Sequence, residues 1–382
     1  MDVDIAAPQT AAARRRLTPT DLSATPAVDL LLRRLGTGPL LAEGLSAHPG
    51  RNDNWAGRTE SGRSVFVKRI GGTEGESARR FQRVLAFERE SAAAGRPVAA
   101  PRLLGSDDTA RLLVFALVED ASAGSELAAD DAFDAVTARR AGETLAALHA
   151  LRPVADLAPS PRSLPPLSSF DALPWSAYAT ASAGTLETWR LLQGDPALHG
   201  ALRELEAAQE RACPTPVHGD VRLDQFLIGA DGRLLLADWE EFGLGDPARD
   251  LGAFAGEWLH RAVLGVPAAL RGTPGAGTEE ARVAHGDVVR TAVAELERVA
   301  PLIEAFWSGY AERRVSALAV DPELLARATA FAGWHLLDRL LASASRHSRL
   351  TAAERAAAGI GRTALLTPQA FVTVLGWGGP LA

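Results

Sequence analysis

His218, Gly219 and Asp220 stand together in a loop just ahead of a short apolar run. Gln225 follows five residues after Asp220, at the start of that run, and Asp238 closes a second run beyond a turn at Asp231-Gly232. A hairpin over these residues brings Asp220, Gln225 and Asp238 towards one place. Two carboxylates and an amide oxygen suit Mg2+, a hard ion that takes oxygen ligands and keeps several waters. The phosphates of a nucleotide would complete its shell. Phosphoryl transfer asks for little more: a metal to neutralise the triphosphate, a cation on the phosphates, and a carboxylate that orients and deprotonates the attacking hydroxyl.

Lys68 can supply the cation. It ends the run VFVK, and it is the single lysine among 40 basic residues. A lysine that survives in so arginine-rich a chain marks a slot for a slender point charge, where a planar guanidinium fork would not serve. Such a lysine needs an acidic partner. The helical stretch Glu76–Ala94 offers Glu88 and Glu90, and Glu88 is the preferred one. The only two asparagines, Asn52 and Asn54, sit in a polar tip with Gly50. They read as a phosphate loop or, more plainly, as turn and strand-start residues. Glu240 and Glu241 follow Asp238 and read either as a wall for a cationic acceptor or as solvated loop acids. Trp239 and Trp258 are expected in the core, and His149 at the end of a helix.

These residues need elements to position them. Leu30–Leu35 reads as a short helix. From Leu40 to Ile70, short apolar runs split by turn residues predict three antiparallel strands joined by hairpins. Helical spacing then places Phe81, Val84, Leu85 and Ala92 on one face. Arg111–Val118 is a nearly continuous apolar run, hence a buried strand. Ala132–Leu151 predicts an amphipathic helix with Phe133, Val136, Leu145 and Leu148 inward, and Leu186–Ala212 one or two more. From about Ala248 the chain is helical, apart from a loop near Gly272–Gly277. A second HGD, His285-Gly286-Asp287, runs straight into a helical pattern with no strand-end aspartate behind it, and is set aside.

The predicted organisation is a disordered tail over 1–25, a nucleotide-binding N-lobe over 26–120, and a helical C-lobe over 121–382 with the catalytic loop and metal site. The polar stretch Glu119–Ser125 is the expected hinge. Net charge is −7, which offers no basic field for nucleic acid. Arg14, Arg15 and Arg16 read as part of a solvated tail. One cysteine, Cys213, excludes a disulfide framework and fits a reducing, cytoplasmic setting. No apolar leader opens the chain, and no run is long enough to span a membrane.

The series VFVK, acidic helix, LAALH, HGDVRLDQFLI and ADWEEFGLGDPARDL resembles the aminoglycoside phosphotransferase and choline kinase superfamily. The resemblance implies an α+β, bilobal, protein-kinase-like fold with a small antiparallel-sheet N-lobe and a larger helical C-lobe. It implies ATP and Mg2+ as cofactors. Asp220 would be the catalytic base, Asp238 a metal ligand, Lys68 the cation on the α- and β-phosphates, and Glu88 the residue that orients Lys68. Asp250 would accept hydrogen bonds from the catalytic-loop backbone. Gly50–Asn54 would lie over the phosphates, and backbone groups near Glu119 would meet the adenine. The family pattern has Asn where this chain has Gln225, one methylene longer, at a metal that demands near-ideal octahedral geometry.

A closer resemblance is carried by GRNDNWAG, ETWRLLQGD, DWEEFGLGDPARDLGAFAGEWLHRAV and FAGWHLLDRLLA. These stretches are similar to the kinase subunit of class V lanthipeptide synthetases. That resemblance implies phosphorylation of Ser and Thr hydroxyls in a ribosomal precursor peptide, with separate lyase and cyclase subunits as partners. Two other readings stand beside it. One is a phosphotransferase for a small molecule such as an aminoglycoside, choline or homoserine. The other is an inactive nucleotide-binding scaffold.

Overall fold

The structure is a computed structural model that describes residues 19–48, 50–154, 156–272, 284–345 and 348–377. In chain order the elements begin with α1 (Ala27–Arg34), β1 (Asp53–Arg58), β2 (Ser64–Arg69), α2 (Glu74–Ala93), β3 (Leu103–Asp107), β4 (Leu112–Ala116), β5 (Ser122–Ala123) and α3 (Gly124–Ala129). Next come α4 (Ala135–His149), α5 (Trp175–Thr180), α6 (Ala183–Gln193), α7 (Pro196–Arg211), β6 (Thr215–Val217), β7 (Phe226–Ile228), β8 (Leu234–Leu236) and β9 (Gly243–Gly245). Among the described residues, six helices follow: α8 (Pro247–Gly272), α9 (His285–Arg313), α10 (Val315–Val320), α11 (Leu324–Ala344), α12 (Ala352–Leu366) and α13 (Pro368–Val374).

The chain divides into two compact units. The first comprises Met1–Phe133, Arg152–Leu157 and Leu223–Phe242. It holds an antiparallel sheet in the order β1-β2-β4-β3 and a smaller one in the order β5-β7-β8. The expected boundary near residue 120 therefore moves. The β7–β8 hairpin returns to the first unit, because β5 pairs with β7 through Ser122↔Ile228 and Ala123↔Leu227. The stretch expected to act as a hinge supplies that strand.

The core of the larger sheet is Val28, Leu31, Leu32, Leu40, Trp55, Val65, Val67, Leu112 and Val114, all buried. Each such side chain contributes roughly 1.5–3 kcal/mol by leaving water. Val65 and Val67 alternate with Phe66 and Lys68, so the pleat that buries the valines sets Lys68 on the other face. Only two of the three strands expected over Leu40–Ile70 form. The first is reduced to isolated bridges, Leu40 to Thr59 and Ser46 to Ala56. β3 was not expected: its sequence, LLGSD, has too little alternation to read as a strand. The described part of the predicted tail is structured. Asp21 accepts from the Ser23 amide at 2.9 Å, and the Trp55 indole donates to the Thr20 carbonyl at 2.7 Å. Arg14, Arg15 and Arg16 lie outside the described residues, as does most of the expected loop near Gly272–Gly277.

The second unit comprises Asp134–Leu151, Ala158–Arg222 and Gly243–Ala382. Its described residues form a helical assembly with a short ladder of β6 on β9. Helices α4 and α9 meet at glycines. A Cβ on Gly142 would lie 2.0 Å from the Phe306 carbonyl oxygen, and one on Gly309 2.2 Å from that of Arg139. Only glycine permits that approach. On α4, Leu145 and Leu148 face inward as expected, but Val136 is exposed. The second HGD opens α9, with Asp287 paired to Arg290 one turn on. Trp258 is buried, as expected. Among the described residues, no helix is long and apolar enough to cross a membrane.

Candidate active site

In the first unit the hairpin fixes the relation of Gln225 to Asp238. Phe226 pairs with Leu236, and the Ala237 amide donates to the Gln225 carbonyl at 2.9 Å. Gln225 thus lies opposite the residue before Asp238, and it is buried. Asp238 has φ of +70°. That left-handed conformation costs a non-glycine residue about 1–2 kcal/mol and marks a position held by its surroundings. Here the holder is α2. Phe87 stacks on Trp239 with ring centroids 3.5 Å apart and meets Phe242 edge-on. Trp239 is therefore core.

The pinned turn delivers two carboxylates to Lys68. Its Nζ lies 2.7 Å from Asp238 Oδ1 and 2.5 Å from Glu240 Oε1. Burial pulls the ammonium down, but the charges of Asp238 and Glu240 and their hydrogen bonds outweigh it, so Lys68 titrates above its ordinary value. Glu240 is only 2% exposed and is shared further. Asn52 Nδ2 donates to Oε1 at 2.6 Å, while Arg51 and Arg80 approach Oε2 at 3.2 and 3.5 Å. It is neither a solvated loop acid nor a free wall for a cation.

Glu88 does not meet Lys68. It accepts from Arg96 at 3.1 Å. The face of α2 that meets the turn carries Phe87 and, seven residues back, Arg80; Glu88 lies about 100° around the helix from Phe87. Glu90 is also elsewhere, bonded to Arg89 and to the Val154 amide. The acid beside the lysine is Glu240. DWEE was in view in the sequence, but spacing alone does not say which acid folds back.

The tip of the predicted phosphate loop divides into different roles. Asn54 accepts from the His48 amide at 2.6 Å and donates to the His48 carbonyl at 2.9 Å. It also donates to the Asn52 carbonyl at 3.2 Å, so its side chain closes the turn with both amide hydrogens; of the two readings of Asn54, the turn one holds. Asn52 joins the tip to Glu240 and, through Oδ1, to the Gly71 amide at 2.9 Å. Gly50 is open, with nothing within 4 Å of where a Cβ would stand. The Glu119 carboxylate accepts from Ser64 Oγ at 2.5 Å, and the residue lies on the link between β4 and β5.

In the second unit the HGD loop hangs on Asp250. That carboxylate is fully buried. It accepts from the His218 amide at 2.7 Å and the Gly219 amide at 2.9 Å. Gly219 has φ of +84°, a conformation natural to glycine. His149 Nε2 stands 3.1 Å from Asp250, and its Nδ1 3.0 Å from the Tyr310 hydroxyl. Burial would raise the Asp250 carboxyl, but hydrogen bonds from His149 and the loop, with the nearby histidine charges, hold it below the ordinary range. Burial pushes Tyr310 upward, so it stays a protonated donor. His149, at the end of α4 as expected, is thus part of the loop's support. The close approach of α4 and α9 sets it against Tyr310. The start of α8, which carries Asp250, is fixed in turn by Arg327 on Asp246 at 2.8 Å. Asp220 itself projects from the loop with its side chain 39% exposed and Arg222 at 3.9 Å.

Among the described residues, no group of three or more His, Cys, Asp or Glu side chains is arranged to hold a metal. Mg2+ does not need one, since it takes one or two carboxylates with phosphate oxygens and water. Asp238, with the Gln225 main chain fixed beside it, fits that kind of donor set.

A part-buried lysine on a β-strand, two carboxylates on a turn behind a hairpin, and an HGD loop hung on a buried aspartate define a phosphotransferase of the kinase-like α+β class. The model of the APH phosphotransferase enzyme family matches residues 45–284, and the chain belongs to that family. No curated protein matches it. Among solved structures, a glucosamine kinase is similar at 17% identity over 93% of this chain and 86% of that one, with a TM-score of 0.51. An aminoglycoside phosphotransferase from Alicyclobacillus acidocaldarius is similar at 14% identity over 94% and 96%, with a TM-score of 0.47. A choline/ethanolamine kinase family protein from Mesorhizobium loti is similar at 17% over 90% and 98%, with a TM-score of 0.42. At these identities the glucosamine kinase likeness speaks for the fold alone.

Proposed function

We propose that the chain is an ATP- and Mg2+-dependent kinase that phosphorylates Ser and Thr hydroxyls of a ribosomal precursor peptide, preparing them for dehydration in lanthipeptide biosynthesis. The observation that carries the choice of acceptor is the pairing of Glu240. A small cationic acceptor such as an aminoglycoside or choline would call for free carboxylates beside Asp238. Glu240 already serves Lys68, Asn52, Arg51 and Arg80, and Glu241 faces Arg51 at 3.3 Å. The stretches shared in pattern with class V lanthipeptide kinases support the same reading. Phosphate is a good leaving group, so a separate lyase subunit would eliminate it and a cyclase subunit would add cysteine.

In the reaction, Asp220 takes the hydroxyl proton. The acceptor oxygen bonds to the γ-phosphorus, and the bond to the β,γ-bridging oxygen breaks, its electron pair leaving with ADP. Lys68 neutralises the α- and β-phosphates. Glu240 holds Lys68 through Oε1, and Asp238 is the carboxylate that would hold the metal. Mg2+, held by Asp238 and the Gln225 amide, would supply charge neutralisation on the phosphate oxygens. Main-chain groups near Glu119 would meet the adenine, and the Gly50–Asn52 tip would cover the phosphates.

Glu240→Gln is expected to lower kcat/KM for ATP by roughly tenfold or more, the worth of a hydrogen bond between charged groups. Glu88→Gln is expected to change it by no more than about twofold, since Glu88 pairs with Arg96 and not with Lys68. Steady-state kinetics in ATP compare the two; the reverse ranking would return the lysine-orienting role to Glu88. The acceptor is tested by incubating the protein and Mg·ATP with a Ser/Thr-rich precursor peptide, and separately with aminoglycosides and amino alcohols. Mass spectrometry should find the added phosphoryl group on the peptide. Transfer to a small molecule instead would overturn the pathway, and ATP turnover with neither acceptor, partner subunits supplied, would favour the scaffold.

A further inference from the structure

The second unit contains a cavity of about 430 Å3 that shares no residue with the HGD loop or its supports. Ala183, Leu186, Glu187 and Arg190 of α6 line one side, at the spacing that places residues on one helix face. Arg349, and Arg355 of α12, line the other. The wall is tied together. Ser182 Oγ donates to the Ala344 carbonyl at 2.8 Å. Glu187 accepts from the Leu350 amide at 3.0 Å and pairs with Arg355.

Glu187 is therefore spent inside the wall, and Arg355 with it. Arg190 and Arg349 are different: both are exposed, and among the described residues neither has an acidic partner. The cavity keeps this surplus of positive charge in a protein of net charge −7. A cationic concavity on an acidic protein attracts an acidic ligand and rejects other surfaces. Leu186 and Ala183 add an apolar side. A second feature adjoins it along the chain. Helix α5 buries nothing, and its Trp175 and Tyr178 are 77% and 51% exposed. Their rings stack at 5.8 Å. Tyr178 stands five positions before Ala183, so its main chain lies within about 18 Å of the cavity wall. Exposed Trp and Tyr are the residues that anchor protein interfaces. A small anion would use the arginines alone. An extended peptide can use both.

We infer that this cavity docks an acidic segment of the peptide substrate, with Arg190 and Arg349 receiving carboxylates and Leu186 an apolar side chain. The inference rests on the peptide-kinase reading and assigns that reading a second contact, apart from the phosphorylated hydroxyl.

The test uses the full chain and two labelled peptides. Both carry Ser/Thr acceptors; one also carries a run of Asp, Glu and Leu, and its twin has Asn and Gln in place of the acids. The variant is Arg190→Glu with Arg349→Glu. Both positions are exposed, so folding is not at stake, and a melting curve checks it. The variant is expected to raise the Kd for the acidic peptide by anisotropy, and its KM as a substrate, roughly tenfold or more, since two attractions become repulsions. KM for ATP, kcat at saturating peptide and all constants for the neutral twin should stay unchanged. Affinity for the acidic peptide should fall with added salt. Phosphorylation of the acidic peptide with the same KM in wild type and variant would overturn the docking site and leave the kinase reading intact. Binding that the variant loses, with no phosphorylation of either peptide, would uphold the cavity and overturn the kinase reading. Displacement of the peptide by inorganic phosphate at comparable concentration would make this a small-anion site and overturn the inference.

Discussion

Asp220→Asn is expected to lower phosphoryl transfer by about 10²–10⁴-fold, the usual worth of general-base assistance, with nucleotide affinity and melting temperature retained. The reason for so selective a loss lies in how the loop is built. The amides of His218 and Gly219 are taken by Asp250, and the His218 ring accepts from the Asp220 amide at 3.4 Å. The main chain of Asp220 is thus part of the scaffold, while its carboxylate is part-exposed, with Arg222 at 3.9 Å. Asparagine keeps the main chain and the shape and gives up only the proton acceptor. Single-turnover kinetics read the transfer step, calorimetry with Mg·ATP reads binding, and a melting curve reads the fold. Loss of nucleotide binding in the variant would show that Asp220 serves the nucleotide or its metal, and the role of base would pass to another residue.

Much of this was legible in the sequence, for identifiable reasons. Lys68 stood out as the single lysine, at the end of the run VFVK, and it ends up on β2 beside Asp238. The HGD loop, the hairpin after it and Asp238 were readable because turn chemistry and short apolar runs are local signals. Asp250 was placed correctly under the loop, on the strength of the resemblance. Two of the misses are long-range. Which acid pairs with Lys68 depends on Phe87 stacking on Trp239, a contact between residues far apart in the chain that no periodicity encodes. The role of His149 needs the glycine-to-glycine crossing of α4 and α9, which the sequence shows only as two unremarked glycines. β3 was missed because a strand can be held by its neighbour with little apolar content of its own. The start of the first unit was placed too late because a segment rich in Ala, Thr and Asp reads as a tail, while Asp21 and Pro26 are helix-start chemistry.

Asp250→Asn is expected to be the most destabilising single substitution in the catalytic-loop region, at about 3–5 kcal/mol, the cost of breaking a buried charge network by removing one partner. The carboxylate accepts from the His218 and Gly219 amides and from His149. An asparagine has one acceptor oxygen for these donors. Its own NH2 would face a main-chain N–H or the His149 ring, donor against donor, in a site closed to water. Activity should fall with stability, since the same bonds set the position of Asp220. The pH dependence separates this from ordinary packing loss. The Asp250 carboxyl titrates below its ordinary value of 3.8 in the folded chain, so the unfolded chain binds the proton first as pH falls. Its contribution is complete above that ordinary value and is lost as pH drops through the lower, folded value. The wild type should therefore lose stability steeply on acidification through that window, and Asp250→Asn, which has no proton to gain there, should lose distinctly less. Chemical denaturation at a series of pH values measures both curves. Parallel curves would mean that Asp250 carries no charge in the folded protein, and its place beneath the loop would then be that of a neutral hydrogen-bonding group.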